Sequence, residues 1–331
     1  IDNMLNKSQN LNPKVLDKDA ELAYTRDGYG KGVVEAGEKD DRIVVLCADL
    51  AESTRSHWFK EKFPERYIEI GVAEQNLATV ASGMAAYGKI PFISSYAVFS
   101  PGRNNEQIRT TISLNNVPVK IMGAHAGISV GPDGATHQAL EDIALMRVQP
   151  NMTVLAPCDF EETKKAIHQA VRLEKPVYIR FGREKTPVIT TESSPFNIGK
   201  ANLLRDSEKV DVAIISCGPL TQKALIAAEE LSKDGIECSV LNNHTIKPMD
   251  EAAVIEVAKK AGKVVTVEEH QVNGGMGSAV AEVLSKNNPV AMEFIGVQDK
   301  FGQSGEPDEL IEHYGMGVDS IKKAVEKVLK R

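Results

Sequence analysis

Short apolar runs recur along the chain and alternate with longer stretches whose apolar residues are spaced as in a helix. The clearest run is Ile43–Cys47, in which five consecutive apolar residues lead into a polar segment at 48–53. A continuous apolar run of this length is typical of a strand that is buried on both faces of a parallel sheet. Repeated alternation of such strands with helices predicts doubly wound, mostly parallel sheets, so the expected fold class is α/β.

Two alternating sets of elements can be distinguished along the chain. The first set predicts strands at 43–47, 67–70, 91–94, 117–123, 153–156 and 177–181, helices at 22–38, 56–62, 104–114, 140–146 and 160–173, and a further helix directly after Gly71. The second set predicts strands at 212–217, 238–241, 264–268 and 291–297, and helices at 220–233, 250–261, 277–285 and 320–329. The chain should therefore contain two α/β domains.

A polar stretch at 185–209, rich in Thr, Ser, Pro and Glu, separates the two sets and indicates a linker. The first residues are also polar and lack the apolar core of a signal peptide. We therefore expect a loosely ordered N-terminal extension at 1–19, a first domain at 20–184 and a second, smaller domain at 210–331.

Composition narrows the class of protein. The net charge of -7 argues against a nucleic-acid-binding protein, whose surface would be basic. No apolar run approaches the ~20 residues that a membrane helix needs. The four cysteines are widely spaced without a CxxC pair, which favours buried free thiols over disulfides or zinc. These features predict a cytoplasmic protein with no membrane partner.

The segment around Glu74 is the first candidate for chemistry. The strand at 67–70 runs into Gly71, and Glu74 lies in the first turn of an Ala/Gly-rich helix. A glutamate here can simply stabilise the helix N-terminus. However, open α/β sheets bind ligands where strand ends lead into helix starts, and a helix face of small residues lets a ligand approach closely.

The loop at 125–138 is the second candidate. It follows an apolar strand and contains His125, Asp133 and His137 among several glycines. These side chains can donate and accept hydrogen bonds and can titrate near neutral pH, although a histidine is often only structural. Their spacing matches none of the usual helical metal pairs and no cysteine is near, so we predict no metal site.

Several other residues give weaker signals when each is considered alone. Asp49 and Ser53 follow a strand, and Arg180 and Arg183 close another. Arginine commonly binds phosphate or carboxylate, but each of these residues can equally be a solvated side chain. The same alternatives hold for Arg26, for the aromatic residues Tyr96 and Phe99, which would by default lie in a core, and for the segment 268–270 (EEH).

Glycine-rich phosphate-binding motifs are not apparent. The turn at 273–278 (NGGMGS) precedes a helix and could receive an anion, although a plain tight turn explains it equally well. We find neither a GxxxxGK[ST] motif nor a GxGxxG motif after a first strand. A diphosphate-containing cofactor would therefore need a phosphate site outside this chain.

Taken together and in this order, these segments resemble the C-terminal half of transketolase, a thiamine-diphosphate enzyme. The segment 71–74 (GVAE) is similar to the family's segment with the cofactor-contacting glutamate, and 125–138 looks like its sugar-phosphate loop. The resemblance covers nearly the whole chain after about residue 20 and corresponds to the pyrimidine-binding domain and the transketolase C-terminal domain. The family's first domain, with its GDG…N motif, has no counterpart here.

The resemblance therefore implies one subunit of a split, two-chain transketolase. A separate N-terminal subunit would carry the GDG…N motif and hold Mg²⁺ or Ca²⁺ with the cofactor's diphosphate. An α2β2 heterotetramer is expected, and this chain should be inactive alone. The implied reaction is reversible transfer of a two-carbon ketol unit from a ketose phosphate to an aldose phosphate, as in the pentose phosphate pathway.

The resemblance also implies a role for each candidate residue. Glu74 would hydrogen-bond the cofactor's aminopyrimidine ring, with Glu74 and His137 as the catalytic residues. Phe99 and Tyr96 would contact that ring, and Asp49 would lie near the thiamine. The substrate-binding residues would be Arg26, Ser53, His125, Asp133, His137 and Arg183, with Arg180 as the competitor of Arg183. One departure is 100–102 (SPG), where the family often carries another aromatic residue.

Two other functions remain open from the sequence. One is the β subunit of a related thiamine-diphosphate enzyme, of the 2-oxoacid dehydrogenase or deoxyxylulose-phosphate synthase type, although the two histidines and Arg183 suit a sugar phosphate better. The other is a non-catalytic scaffold subunit, against which the presence of Glu74 argues. Which ketose and aldose phosphates are used does not follow from the sequence.

Overall fold

The computed structural model describes residues 4–17 and 19–331, and the remaining residues of the predicted extension, 1–3 and 18, lie outside the described part. The strands are β1 Leu22–Tyr24, β2 Ile43–Cys47, β3 Tyr67–Glu69, β4 Ile90–Tyr96, β5 Lys120–Ala124, β6 Thr153–Leu155, β7 Val177–Arg180, β8 Lys185–Pro187, β9 Asn202–Arg205, β10 Val212–Ser216, β11 Cys238–Asn242, β12 Thr245–Lys247, β13 Lys263–Gln271 and β14 Ala291–Val297. The helices are α1 Thr25–Gly37, α2 Ala51–Thr54, α3 His57–Lys62, α4 Glu74–Ala86, α5 Asn105–Gln107, α6 Asp142–Arg147, α7 Phe160–Ala170, α8 Thr221–Lys233, α9 Glu251–Ala261, α10 Met276–Asn287, α11 Pro307–His313 and α12 Val318–Leu329.

The first domain is built on a seven-stranded sheet with the order β12-β6-β7-β5-β4-β2-β3. All neighbouring strands are parallel except β12, which runs antiparallel to β6. The central strands are apolar and fully buried because helices cover both faces of the sheet. The predicted doubly wound α/β fold is confirmed for this domain.

The second domain contains a five-stranded sheet with the order β14-β13-β10-β11-β9. Four strands are parallel, and β9 is antiparallel at one edge. Helix α12 packs beside α8, and its buried residues Ile321, Val325 and Val328 repeat with the spacing of one helix face. This sheet also agrees with the predicted α/β class.

Two predictions about local structure were wrong, and a third was right about the helix but not its type. Leu22–Tyr24 is a strand rather than the start of a helix, because it pairs antiparallel with Lys185–Pro187. The helix predicted at 104–114 is present, as a short turn of α-helix that continues as a π-helix at Ile108–Ser113. The extension at 4–17 packs against the second domain, where Val15 is buried and its carbonyl accepts a hydrogen bond from Gln222.

Besides β1, five elements were not predicted: α2, β8, β9, β12 and α11. Strands β8 and β9 lie inside the stretch interpreted as a linker. Strand β8 pairs with the distant strand β1, and β9 pairs with β11 at one edge of the second sheet. Strand β12 follows β11 by only two residues but joins the sheet of the first domain. Short edge strands carry a weak local pattern because partner strands, not their own sequence, stabilise them.

The two domains are joined by backbone hydrogen bonds as well as by β12. The Ala156 amide donates to the His244 carbonyl at 2.8 Å, and the Gly218 amide donates to the Ala156 carbonyl at 3.0 Å. The Gln271 amide donates to the Leu140 carbonyl at 2.9 Å. Consequently the carboxyl end of the second sheet faces the first domain.

Every helix within 4–17 and 19–331 is too short or too polar to cross a membrane. The four cysteines, Cys47, Cys158, Cys217 and Cys238, are buried as free thiols, as predicted.

Candidate active site

The candidate residues gather at the carboxyl edge of the first sheet. Asp49 follows β2, Tyr96 ends β4, and His125 directly follows β5. These three strands are neighbours in the sheet, in the order β5-β4-β2. The carboxyl edge of an open parallel sheet is the usual place for a ligand site, so the topology brings together residues that are far apart in sequence.

Glu74 is the first residue of α4 and is almost completely buried, with 1% of its surface exposed. Its Oε2 atom accepts a hydrogen bond from Arg103 Nη1 at 2.7 Å. Its Oε1 atom is buried and has no hydrogen-bond partner among the described residues. A buried carboxylate oxygen without a donor is rare in folded proteins, so this atom is available to a ligand.

The segment after β4 is held under Glu74 by Asn104. The Asn104 Nδ2 atom donates to the Glu74 carbonyl at 3.0 Å and to Ser100 Oγ at 3.1 Å. The 100–102 segment, which lacks the additional aromatic residue mentioned above, turns the chain back toward α4. Arg103 follows directly, and its guanidinium lies 4.7 Å from the centre of the Phe99 ring.

Aromatic and imidazole rings form a continuous group beside this segment. Tyr96 stacks on His125 with ring centres 4.0 Å apart and on Phe99 at 6.1 Å. His137 meets Phe99 edge-on at 5.5 Å and Tyr96 at 6.2 Å. The structure therefore brings both histidines of the 125–138 loop to the predicted aromatic pair, although they are twelve residues apart in sequence.

His125 has left-handed backbone geometry, with φ of +54°, and only 2% of its surface is exposed. Burial, followed by the positive charges of Arg26 and Arg183, lowers the pKa of His125 to about 3. Its imidazole is thus neutral near pH 7, and its Nδ1 atom has no partner within the described chain. A neutral ring nitrogen and nearby guanidiniums suit an anionic ligand.

The predicted arginines lie close to His125. Arg26 Nη1 donates to the Ser53 carbonyl at 3.0 Å, and Arg26 Nε is buried without a partner in the residues described. Arg183 Nη1 donates to the Val130 carbonyl at 2.7 Å. Arg26 and Ser53 are therefore adjacent, and Arg183 is anchored to the same loop that carries His125.

Arg55 was missed by the sequence analysis. It has φ of +71°, and its Nε atom donates to Asp27 at 2.7 Å. Burial and then the charge of Arg55 lower the pKa of Arg26. The guanidinium groups of Arg26 and Arg55 lie 4.6 and 5.6 Å from the centre of the Tyr24 ring. No local pattern distinguishes Arg55 from other polar residues of its segment.

Arg180 is separated from this group, which removes it as the competitor of Arg183. It is buried, and its Nε atom donates to Asp142 Oδ2 at 2.8 Å. Burial alone would lower the pKa of Arg180, but the neighbouring Asp142 raises it above its ordinary value. The guanidinium is fully engaged inside the protein.

Asp49 and Asp133 are both exposed and lie at turns. Asp49 has φ of +58°, and its amide donates to Glu69 Oε1 at 2.8 Å. The same oxygen accepts the Gly71 amide at 2.9 Å, so Asp49 lies beside the turn that leads to Glu74. Asp133 ends a short 3-10 turn at Ile128–Asp133, and Thr136 Oγ1 lies 2.9 Å from His137 Nδ1.

The turn at 273–278 binds an internal carboxylate. Glu268 Oε2 accepts the Met276 amide at 2.7 Å, and Glu268 Oε1 accepts the Gly277 amide at 2.8 Å. Burial raises the pKa of Glu268 to about 7. The start of α10 is thus occupied by the protein itself. Across 4–17 and 19–331, no cluster of three His, Cys, Asp or Glu side chains could hold a metal ion.

Comparison with known protein families assigns both domains. A profile described as the transketolase pyrimidine binding domain matches residues 22–188. A second profile, described as the transketolase C-terminal domain, matches residues 199–321. The chain belongs to the transketolase family.

Relatives of similar length support the same assignment. A protein named as a transketolase C-terminal section from Methanocaldococcus jannaschii is 44% identical, over 92% of this chain and 96% of that protein. A protein named 6-deoxy-6-sulfo-D-fructose transketolase subunit from a Clostridium species is 42% identical, over 93% of this chain and 95% of that protein. Human transketolase is 35% identical over 96% of this chain, but the chain spans only 50% of its length.

A solved structure also matches closely. It is described as a split gene transketolase, inactive beta4 tetramer, and has a TM-score of 0.86 and 45% identity, covering 93% of this chain and 98% of that one. The chain therefore corresponds to the C-terminal section of a transketolase, and the predicted family and fold class are confirmed.

Membership of this family implies thiamine diphosphate as the cofactor, and the residues present fit one half of it. The unpartnered Glu74 Oε1 offers a hydrogen-bond acceptor inside a buried site, and Phe99 and Tyr96 offer ring faces nearby. These features suit a planar aminopyrimidine, which needs both polar contacts and stacking.

Proposed function

We propose that this chain is the C-terminal subunit of a two-chain transketolase, which transfers a two-carbon ketol unit from a ketose phosphate to an aldose phosphate. The observation that carries the proposal is the buried Glu74 carboxylate with its free Oε1 atom, beside an aromatic group that continues into a cluster of guanidiniums. One end of the site suits a heterocycle, and the other suits an anion.

When it is bound, thiamine diphosphate supplies the electron sink for breaking and forming the carbon–carbon bond. Glu74 would accept a hydrogen bond at Oε1 and hold a proton on the ring nitrogen that it contacts. Phe99 would stack on the pyrimidine with Tyr96 beside it, and Asp49 would lie near the thiamine. Arg103 would orient the Glu74 carboxylate, because it donates to the opposite oxygen at 2.7 Å.

The other end of the site would bind the donor sugar. His125, Arg26, Ser53 and Arg183 would grip its terminal phosphate, since two guanidiniums beside a neutral imidazole favour an anion. Asp133 and His137 would bind the sugar hydroxyls. His137 would also act catalytically, because its ring lies against Phe99 and Tyr96, beside the proposed position of the cofactor.

A second chain would complete the enzyme. We propose that an N-terminal subunit with the GDG…N motif holds Mg²⁺ or Ca²⁺ and the diphosphate, that the assembly is α2β2, and that this chain is inactive alone. Pentose phosphates in the cytoplasm are the default substrates, and the four free cysteines agree with a reducing compartment.

The direct test is Glu74→Gln in the chain assembled with its N-terminal partner. A glutamine cannot hold the proton, so we expect ketol transfer from xylulose 5-phosphate to fall by about 10²- to 10⁴-fold. Glu326→Gln, at an exposed position of α12, is the matched control and should keep full activity. Unchanged activity of the Glu74 variant would favour a scaffold role and overturn the proposal.

The choice of donor tests the other end of the site. One relative is named for a sulfonated fructose, and a 34% identical protein from Phocaeicola vulgatus is named as one chain of an apulose-4-phosphate transketolase. A guanidinium cluster can bind either a phosphate or a sulfonate, so both kinds of ketose should be assayed against pyruvate. Use of pyruvate in preference to every anionic ketose would assign the chain to another thiamine-diphosphate enzyme.

A further inference from the structure

The 125–138 loop belongs to the first domain but is held by the second. The Ser129 amide, at the centre of the loop, donates to Glu269 Oε1 at 2.7 Å. Glu269 lies in β13 of the second domain, and only 2% of its surface is exposed. The Glu269 carbonyl in turn accepts a hydrogen bond from Arg180 of the first domain at 3.1 Å. Both ends of this residue therefore bind the first domain.

A second contact holds the end of the loop. Gln138 Nε2 donates to the Ile128 carbonyl within the loop and to the Gln303 carbonyl of the second domain, each at 3.0 Å. Gln138 is thus a bridge that closes the loop on itself and fixes it to the segment after β14. The two contacts are formed by different parts of the second domain, so they are independent observations.

The contacting surfaces leave no room for extra atoms. Gly127 has φ of +95°, and a Cβ atom there would overlap the carboxylate of Glu269. A Cβ atom on Gly302 would overlap the side-chain amide of Gln138. Glycine at both positions lets the loop and the second domain approach closely. The loop is consequently packed directly against the second domain.

A buried carboxylate is an unusual choice for packing alone. Removing a carboxylate from water is costly, and a well-packed apolar residue of similar volume would often stabilise the fold as well. The charge does provide a strong and directional acceptor for one amide. That amide lies between His125 and Asp133, which are two of the proposed substrate-binding residues, and the loop ends with a third, His137.

We propose that Glu269 of the C-terminal domain is a positioning residue for the donor-sugar site, acting through the Ser129 amide to set the positions of His125, Asp133 and His137. This inference rests on the proposed function for its effect on the sugar. It gives the C-terminal domain a defined role in the active site, although none of its residues need touch the substrate.

The experiment compares Glu269→Gln and Glu269→Met in the full chain, with and without the N-terminal partner. The glutamine Oε1 can still accept the Ser129 amide, whereas methionine cannot. Hydrogen exchange of the 126–138 segment, measured on the chain alone, should accelerate about tenfold in the methionine variant and little in the glutamine variant. In the assembled enzyme, the donor KM should rise about tenfold and kcat should fall by a smaller factor, because the same loop carries His137, while thiamine-diphosphate affinity should stay nearly unchanged.

Two further variants keep the result decisive. Glu268→Met removes a neighbouring carboxylate that is equally buried but binds only amides of α10, so exchange of the loop should stay unchanged. Gly302→Ala disturbs the Gln138 contact without touching Glu269, and should raise both loop exchange and donor KM if Glu269→Met fails to fold.

The outcomes separate the two proposals. If Glu269→Met leaves loop exchange and donor KM within twofold of the wild type, or if kcat falls while KM does not change, the positioning role is wrong. If the assembled wild type transfers no ketol unit, the proposed function is wrong, and the exchange comparison then decides by itself whether Glu269 holds the loop.

Discussion

Both sheets carry polar residues at their carboxyl edges, but only the edge of the first sheet forms a candidate ligand site. In the first domain, β2, β4 and β5 end in a site where Glu74, Arg26 and His125 each keep a buried polar atom without a partner among the described residues. In the second domain, β11 and β13 end in the polar segments 242–244 and 268–270, which are buried against the first domain, although Asn242, Asn243 and His244 also keep buried polar atoms without a partner among the described residues. One edge remains available to a ligand, and the other holds the domains together.

The difference teaches how a repeated architecture can supply both function and assembly. Parallel sheets gather polar residues at their carboxyl edges because the loops there are free to vary. In the second domain those residues form hydrogen bonds with Arg180, Ala144 and Ser129 of the first domain instead of a ligand. The carboxyl edge of the second sheet therefore packs against the first domain and supports the candidate site there.

The largest effect on stability should come from the buried ion pair of Arg180 and Asp142, which lies where the two domains meet. Arg180→Met would leave Asp142 without its bidentate partner, with both side chains almost fully buried. Breaking such a pair by removing one member typically costs about 3–5 kcal/mol, so the free energy of unfolding in urea should fall by that amount.

The double variant Asp142→Leu/Arg180→Met provides the control for uncompensated charge. It should lose less stability than Arg180→Met alone, because no buried charge remains unpaired. Lys322→Met, which breaks the exposed pair between α12 and Glu230, should change stability little. If all three variants lowered the free energy of unfolding equally, the buried pair would contribute no more to stability than an ion pair at the surface.

A smaller effect concerns the two buried histidines that follow strands β5 and β11. Burial lowers the pKa of His244 to about 3, as burial and nearby guanidiniums do for His125. Between pH 6.5 and 3 the unfolded chain binds a proton at His244 and the folded chain does not, so stability falls with decreasing pH.

His244→Asn removes this proton linkage. From pH 6.5 to 5.0 the wild type should lose up to ~2 kcal/mol more unfolding free energy than the variant. His125 and His270 titrate in both proteins and cancel from the difference, as do the buried carboxyls of Glu162 and Glu268. If the unfolding free energies of the wild type and the variant changed with pH in parallel, His244 would be protonated in the folded state, and the carboxyl edge of the second sheet would be accessible to water.

The smallest effect tests the charge of the open edge. Arg55→Met removes one guanidinium beside Arg26 and His125. Because partly exposed charges contribute at most ~1 kcal/mol, the KM for a phosphorylated donor should rise about three- to fivefold. The increase should shrink at high salt, since the field is screened. Lys322→Met is again the control, and a donor KM unaffected by Arg55 would restrict that residue to its pair with Asp27.

The regular elements were predictable because their signals are local. The five apolar residues of β2 and the whole of β14 were placed with their observed bounds, and most helices were placed within two or three residues. Elements whose stability comes from distant partners were missed. Leu22–Tyr24 reads as part of a helix until its pairing with Lys185–Pro187 is known.

The candidate site shows the same division. Glu74 and the 125–138 loop are marked by local composition, and Arg26, Ser53 and Arg183 could be proposed only from the resemblance. Arg103 carried no signal and Glu269 only the weak one of the 268–270 segment, because an arginine in a turn and a glutamate in a strand are ordinary until their partners are seen. Arg180 and Arg183 could not be separated until one was found bound to Asp142.

The sequence by itself determined the α/β class, the alternation of strands and helices, and the motifs that identify the family, because each depends on residues near one another in the chain. Only the tertiary structure decided which carboxyl edge stays open, which arginine pairs with Asp142, and that the second domain holds the loop of the first. Those facts depend on burial and on hydrogen bonds between residues as much as 165 positions apart, such as Gln138 and Gln303. A one-dimensional pattern contains no record of such distances.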